Sequence, residues 1–303
     1  MLIVNHFATL KRLRNDFVKI SVITINRNNC EGLRRTIDSV VCQSFQPYDF
    51  IVIDGASSDG SAVLLDEYAQ YITFSISEPD NGIYHAMNKG VSAARGEYCI
   101  FMNSGDVFHS KDVLERFNVF APVEDIICGN AFIMSTYPFV KRAPEEITFR
   151  FLYKNALCHQ AVFIKTELLK KFPYDESLKI VADRKFFFEA LVRNNASYRP
   201  VDVAVVDYDA GGYSARNRFF SQQEWENVLS KELPVRILED YGREVFGPLY
   251  SSTSYERFFL ELGRRNYRRP VYSIVRALIL ILSVVIPSAR FSRVFPSESD
   301  QVI

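Results

Sequence analysis

At 303 residues, 48% of them apolar, the chain can bury a large core, which excludes a small scaffold held together by disulfides or metal. Lys+Arg and Asp+Glu balance at 36 each, so no whole-chain field argues for nucleic acid or a strongly acidic partner, and charge-based recognition must come from local clusters. The five cysteines, Cys30, Cys42, Cys99, Cys128 and Cys158, form no C-x-x-C pair and sit mostly in apolar segments, which predicts free thiols in a reducing, cytosolic compartment.

Residues 1–16 are basic at Lys11, Arg12 and Arg14, without the long apolar stretch and small-residue cleavage site of a secretion signal; residues 1–17 read as an N-terminal extension. From there strands and helices alternate, the pattern of a parallel sheet covered by helices. Residues 19–25 are a β-branched run suited to a buried strand. Residues 29–43 place Leu33, Ile37, Val40 and Val41 at helical spacing. A second strand, 50–53, ends at Asp54, and Asp59 is expected to cap a helix over 63–68. A third strand over 72–76, a helix over 81–94 and a fourth strand over 97–102 follow, until Asn103-Ser104-Gly105-Asp106 breaks the pattern. Beyond residue 107 the periodicity mixes, with strand-like pieces at 126–134 and 161–164 and a helix over 182–193. A further helix is expected over 222–240, kinked near Pro234.

In open parallel sheets ligands bind beyond the carboxyl ends of the strands. Four strands end there in polar residues: Asn26 and Arg27, Asp54, Glu78 and Asp80, and Asn103 to Asp106. Asp and Asn also favour strand ends for backbone reasons, so the signal is their convergence on one edge.

In this order the segments S-V-I-T-I-N-R-N (21–28), V-I-D-G-A-S-S-D-G-S (52–61), S-E-P-D-N-G-I-Y-H-A-M-N-K-G (77–90) and F-M-N-S-G-D (101–106) resemble the nucleotide-binding half of family 2 glycosyltransferases. The likeness is to the bacterial branch that builds exopolysaccharides, colanic acid and O-antigens. It continues through C-H-Q-A-V-F (158–163), V-A-D-R-K-F-F (181–187) and G-G-Y-S (211–214). The resemblance implies an α/β fold of GT-A type, a mostly parallel Rossmann-like sheet flanked by helices. The catalytic domain would span 18–215, divided into a nucleotide-binding half (18–106) and an acceptor-side half (107–215), with a helical tail over 216–303.

By position in that resemblance, Thr24, Asn26 and Arg27 line a base and ribose pocket, and Asp54 accepts a hydrogen bond from the base. Asp80, Asn81 and Lys89 lie near ribose and phosphates, Lys89 being alternatively a solvated helix residue. Asn103 and Ser104 complete the donor side. Asp106 matches the last aspartate of a metal-binding D-x-D element, for Mn²⁺ or Mg²⁺, although Asn103 and Gly105 stand where earlier acids are usual. His85 replaces a usual Asp and is either a donor contact or a surface or core residue. Asp183 matches the catalytic base, against the plainer reading that it stabilises the first turn of its helix. His159 and Gln160 face the active site or are structural. Gly211 to Ser214 form a closing loop. Lys141 and Arg142 meet phosphate or are a solvated pair.

Arg264, Arg265, Arg268 and Arg269 precede an apolar stretch at 271–286. As a helix this stretch spans about 24 Å, against about 30 Å of hydrocarbon. It suits a helix lying on an anionic membrane surface, or a buried C-terminal helix. The expected enzyme is therefore an inverting hexosyltransferase in the cytoplasm, peripheral on the inner face of the membrane. It would move sugar from a nucleotide-diphospho-sugar to a polyprenyl-diphosphate-linked glycan in surface polysaccharide biosynthesis. The competing reading is a non-catalytic assembly factor that retains the fold. A nucleotidyltransferase or a dinucleotide-dependent oxidoreductase on a similar sheet is disfavoured because the chain has no G-x-G-x-x-G after its first strand and no P-loop.

Overall fold

The computed structural model describes residues 19–46, 49–120, 122–135, 137–209 and 216–246. The extension 1–17, the loop 211–214 and the apolar stretch 271–286 with its arginines lie outside the described residues.

The first strands are β1 (Ile20–Asn26), β2 (Asp49–Asp54), β3 (Phe74–Ser77) and β4 (Tyr98–Phe101), all parallel. Between them run α1 (Cys30–Val41), α2 (Ser61–Glu67) and α3 (Ile83–Ala93). Every residue of β1 and β2 is buried, as in parallel sheets covered on both faces. The pleat sends Ile20 and Val22 into one cluster with Leu33, Ile37 and Val40 of α1, and Ile23 and Ile25 into another with Met87 and Val91 of α3. Each such side chain removed from water contributes about 1.5–3 kcal/mol before its entropic cost. The sheet is thereby clamped from both sides, and its strand ends form a fixed edge.

The second half adds β5 (Val107–Phe108), β6 (Ile126–Met134), β7 (Phe139–Lys141), β8 (Val162–Lys165) and β9 (Tyr198–Asp209). The sheet order is β3-β2-β1-β4-β8-β6-β9-β5, with β7 on β6. β8 enters antiparallel between β4 and β6, β7 and β5 pair antiparallel, and β9 runs parallel to β6. The sheet is therefore mixed; the parallel expectation holds for the first four strands, where helical crossovers impose it.

Helices α4 (Val113–Val119), α5 (Phe149–Lys154), α6 (Thr166–Lys171), α7 (Ala182–Phe187), α8 (Arg218–Glu232) and α9 (Val235–Phe246) complete the described chain. Three expectations are met in altered form. The cap position of α2 is Gly60 with φ +95°, but the Asp59 carboxylate still accepts the first helical N–H, that of Ser61, at 3.2 Å, as well as the Ser61 hydroxyl at 2.6 Å and the Cys30 N–H at 2.7 Å, joining α2 to α1. The helix over 182–193 becomes a wider π turn at Phe188–Arg193. Phe186, Phe187 and Phe188 are all buried, and regular spacing of about 100° per residue would spread three successive rings around the axis. The helix over 222–240 is two helices, the kink expected near Pro234 being a full interruption at Leu233-Pro234, where proline cannot donate.

The chain divides into a compact unit through Glu232 and a second from Leu233. Helix α8 belongs to the first and buries Trp225, Val228 and Leu229. Among the described residues no helix is long and apolar enough to cross a membrane.

Candidate active site

At the carboxyl ends of β1 and β2 lies a buried polar network. The Asp54 carboxylate accepts from Asn26 Nδ2 at 2.7 Å, from the Ser57 N–H and hydroxyl at 2.9 and 2.6 Å, and from the Ser77 hydroxyl at 2.6 Å. Burial alone would raise its pKa, but the hydrogen bonds from Ser57, Ser77 and Asn26 outweigh it and hold the carboxyl below its ordinary value. Asn26 Nδ2 also donates to Ser61 Oγ at 2.9 Å. The opposite end of this amide, Oδ1, is buried without a partner, as is Thr24 Oγ1 beside it on β1. Buried polar atoms left unpaired cost about 1–3 kcal/mol each, and here they gather where the fold places ligands.

Farther out, Arg27 Nη1 stands 3.7 Å from Asp80 Oδ1. Gly55 makes this approach possible, because a Cβ there would meet Asp80 Oδ2 at 2.3 Å. Asp80 also accepts the Gly82 N–H at 2.9 Å. Lys89, expected at the phosphates, is paired with Glu78 at 2.6 Å. Asn81 is exposed, and its N–H donates to His85 Nδ1 at 3.1 Å. His85 thus braces the start of α3.

The loop from Asn103 to Asp106 is tied down by α1. The single Thr36 hydroxyl proton goes to the Asp106 carbonyl at 2.7 Å, with the Gly32 and Asn103 carbonyls at 3.1 and 3.2 Å as competing acceptors, and the oxygen accepts the Gly105 N–H at 2.9 Å. Asn29 Nδ2 donates to the Ser104 carbonyl at 2.9 Å, so Ser104 serves the loop's own geometry. Gly105 adopts φ +108°, a conformation open to glycine. Asp106 is buried, and Asn103 Oδ1 is buried with no partner. Among the described residues no three His, Cys, Asp or Glu side chains cluster as a metal set. The donors that fit a hard cation are the Asp106 carboxylate and the Asn103 carboxamide oxygen, a thin protein share that leaves other positions to phosphate and water. Thr36→Val, equal in shape, removes the hydroxyl from the Asp106 carbonyl and from the Gly105 N–H, which keeps its 3.1 Å bond to the Gly32 carbonyl. It is expected to lower stability by about 1–3 kcal/mol and to weaken metal-dependent nucleotide binding, as read by thermal denaturation with and without nucleotide and Mn²⁺.

On the acceptor side, Asp183 Oδ1 accepts from the Tyr84 hydroxyl at 3.2 Å and from the Arg184 N–H at 2.8 Å. Both bonds fall on one oxygen, Oδ1. Tyr84 bonds the Ile180 carbonyl as well, and Asn88 grips Tyr174 through both backbone groups at 2.9 and 3.0 Å. Helix α3 thereby fixes the acceptor-side chain against the donor-side sheet. His159 is buried, stacked on Phe101 at 4.7 Å and sharing a 2.7 Å hydrogen bond with the Tyr174 hydroxyl. Burial lowers its pKa against the opposing pull of Asp183. It is a neutral ring beneath the site, within reach of the Asp183 field. Burial pushes the Cys158 thiol up to about 11, with Lys141 lowering and Asp106 raising it, so Asp106 and Asp183 act on adjacent residues, Cys158 and His159. Lys141 donates to the Ala156 carbonyl at 3.0 Å, while Arg142 is exposed.

Two of the expected contacts are not free in this arrangement. The Asp54 oxygens are filled by protein donors, so a bond from a base requires Ser57 or Ser77 to turn away, and Lys89 must leave Glu78 to reach phosphate. Sequence reasoning gave no role to Thr36, Tyr84 or Asn88; the last two stand inside the quoted 77–90 segment, and that adjacency was their only signal.

The glycosyl transferase family 2 domain matches residues 21–169, and together with the relatives below it establishes that the chain belongs to glycosyltransferase family 2 and is a glycosyltransferase. Over 265 residues it is 31% identical to an uncharacterized glycosyltransferase of Mycobacterium tuberculosis, covering 81% of this chain and 98% of that one. A PGL/p-HBAD biosynthesis glycosyltransferase of the same organism is 26% identical over 227 residues, covering 72% and 87%. Among solved structures, S. aureus TarS in complex with UDP-GlcNAc aligns with TM-score 0.59 at 19% identity over 83% of this chain and 78% of that one. A mannosyltransferase of Pyrobaculum calidifontis in complex with GDP-Man and Mn²⁺ aligns with TM-score 0.58 at 14% identity over 87% and 81%. These likenesses establish a GT-A-like fold, a mixed sheet flanked by helices.

Proposed function

We propose that the chain is an inverting glycosyltransferase that moves a sugar from a nucleotide-diphospho-sugar to a polyprenyl-diphosphate-linked glycan in bacterial surface polysaccharide biosynthesis, at the inner face of the cytoplasmic membrane. The observation that carries the catalytic part is the Asp183 carboxylate, fixed through Oδ1 with Oδ2 left to accept a proton. The bound sugar nucleotides of the two structural neighbours support the donor class.

In this reading the unpaired Thr24 and Asn26 atoms receive base and ribose, with the Asp54 network holding Asn26 in its orientation. Arg27, Asp80 and Asn81 border the ribose, and Lys89 exchanges Glu78 for phosphate. Asp106 and Asn103 Oδ1 would hold Mg²⁺ or Mn²⁺, which when bound would supply positive charge against the leaving diphosphate. Asp183 Oδ2 takes the proton of the acceptor hydroxyl as its oxygen forms the new bond to the anomeric carbon, while the bond to the diphosphate oxygen breaks on the opposite face. The nucleoside diphosphate leaves and the anomeric configuration inverts. His159, through Tyr174, positions this wall without exchanging protons itself.

The test is the anomeric configuration of the product, read by NMR after incubation with a UDP- or GDP-sugar and a lipid extract of bacterial membranes. A glycosidic bond opposite in configuration to the donor, on a lipid-linked product, is expected. Retained configuration overturns the single displacement, and product on water-soluble saccharide alone overturns the lipid-linked acceptor.

A further inference from the structure

Helix α8 and Asp183 both lie beyond the residues matched by the family domain, and two consecutive side chains of α8 grip the segment that carries Asp183. Glu224 is buried. Its Oε1 accepts the Lys179 N–H at 2.7 Å, and its Oε2 accepts the Ile180 and Val181 N–H groups at 2.8 and 3.1 Å. Three successive backbone donors thus converge on one carboxylate that stands 43 to 45 residues away in sequence. These are the residues that lead into α7, where no local side chain caps the helix.

The next residue, Trp225, holds the other side. Its ring lies 4.1 Å from the Arg184 guanidinium carbon, and its indole N–H donates to the Tyr153 carbonyl at 3.1 Å. Arg184 is itself buried and spends its guanidinium on the carbonyls of Leu152 and Tyr153, at 2.7 Å for the latter. Asp183 therefore sits between a turn held by Glu224 and an arginine held by Trp225. From the remaining side, Tyr84 bonds both the Ile180 carbonyl and Asp183 Oδ1. A carboxylate on a short helix after an irregular loop would otherwise be free to shift. Charge-assisted bonds to backbone N–H groups are stronger and shorter than neutral ones, and a misplacement of about 1 Å in a catalytic group costs about 100-fold in rate.

We infer that Glu224 and Trp225 are positioning residues for Asp183, so that α8 buttresses the active site from behind the segment that carries this carboxylate. The inference rests on the assignment of Asp183 as base. Neither residue touches substrate; they act through the backbone on either side of the carboxylate. Glu224→Ala leaves three N–H groups without their acceptor. Glu224→Gln keeps one oxygen and turns an amino group toward the remaining donors. Trp225→Phe keeps a ring over Arg184 and loses only the bond to Tyr153.

The experiment uses the full chain, the UDP- or GDP-sugar that the wild type turns over, and a lipid extract of bacterial membranes as acceptor, with kcat and donor KM measured separately and amide exchange followed over 179–181. Glu224→Ala is expected to lower kcat about 100-fold with donor KM within about twofold, consistent with lost positioning. Glu224→Gln should fall between Glu224→Ala and wild type, Trp225→Phe should lie within several-fold of wild type, and exchange should quicken at 179–181 alone. If Glu224→Ala does not fold, the near-isosteric Glu224→Gln decides on the same measurements. Wild-type kcat in folded Glu224 variants while Asp183→Asn is inactive overturns the inference and leaves the base assignment standing. A parallel loss of kcat, donor binding and stability also overturns it, since that marks a general structural role. Full activity in Asp183→Asn instead overturns the assignment on which it rests.

Discussion

Asp183→Asn is expected to lower the transfer rate about 10²- to 10⁴-fold, the range that a positioned general base contributes, with little change in nucleotide affinity or melting temperature. The expectation follows from how the carboxylate is held. Oδ1 takes both hydrogen bonds, from Tyr84 and from the Arg184 N–H, and an asparagine carboxamide oxygen can take the same two. The amino group then stands where Oδ2 was, equal in shape and unable to accept a proton. Initial rates of nucleoside diphosphate release, wild type against variant at saturating donor, give the ratio. A variant within about threefold of wild type would remove Asp183 from the chemistry and leave it a helix-start residue.

Asp54→Asn acts on the other half of the site and chiefly on stability. The carboxylate collects four hydrogen bonds in a buried position, and an amide places an amino group against donors, so a loss of about 2–3 kcal/mol is expected. In a domain of this size that corresponds to about 5–10 °C in melting temperature. Its pH dependence has a definite sign. Burial raises the Asp54 pKa, the bonds from Ser57, Ser77 and Asn26 lower it further than that, and the net value lies below the ordinary one. A carboxyl depressed in the folded state stabilises fully above its unfolded pKa of about 3.9, and this contribution is lost as pH falls through the folded value. Melting temperature should therefore fall more steeply below about pH 4 in the wild type than in Asp54→Asn, with parallel curves above about pH 5. Because Asn26 is oriented by Asp54, nucleotide binding should weaken in the variant even where it is folded.

The first half of the sheet was legible because its information is local. β-branched runs, helical spacing and polar strand ends lie within short windows, and the parallel strands between them leave few topologies. The residues that complete the site were hidden because they act across the fold. Thr36 is one threonine among the polar residues of α1 until the Asn103 to Asp106 loop is placed on it. Glu224 sits on a helix that reads as tail, and no periodicity signals that its carboxylate meets the N–H groups of residues 179 to 181. The antiparallel entry of β8 between β4 and β6 escaped for the same reason, since pairing order is a long-range property. His159 was singled out by its motif, and its burial against Phe101 and Tyr174 appears only in the fold. Asp54 was found by position, and its saturation by serine hydroxyls appears only once Ser57 and Ser77 are in place.

The most direct test of a sugar-nucleotide site at these strand ends is the thermal denaturation of the full chain against UDP, GDP, CDP and dTDP, each with and without Mn²⁺, since a ligand of the folded state raises apparent stability by mass action. A stabilisation by one nucleotide that requires Mn²⁺ and disappears in Asp106→Ala is the expected result. Folded protein that responds to none of the four would contradict it.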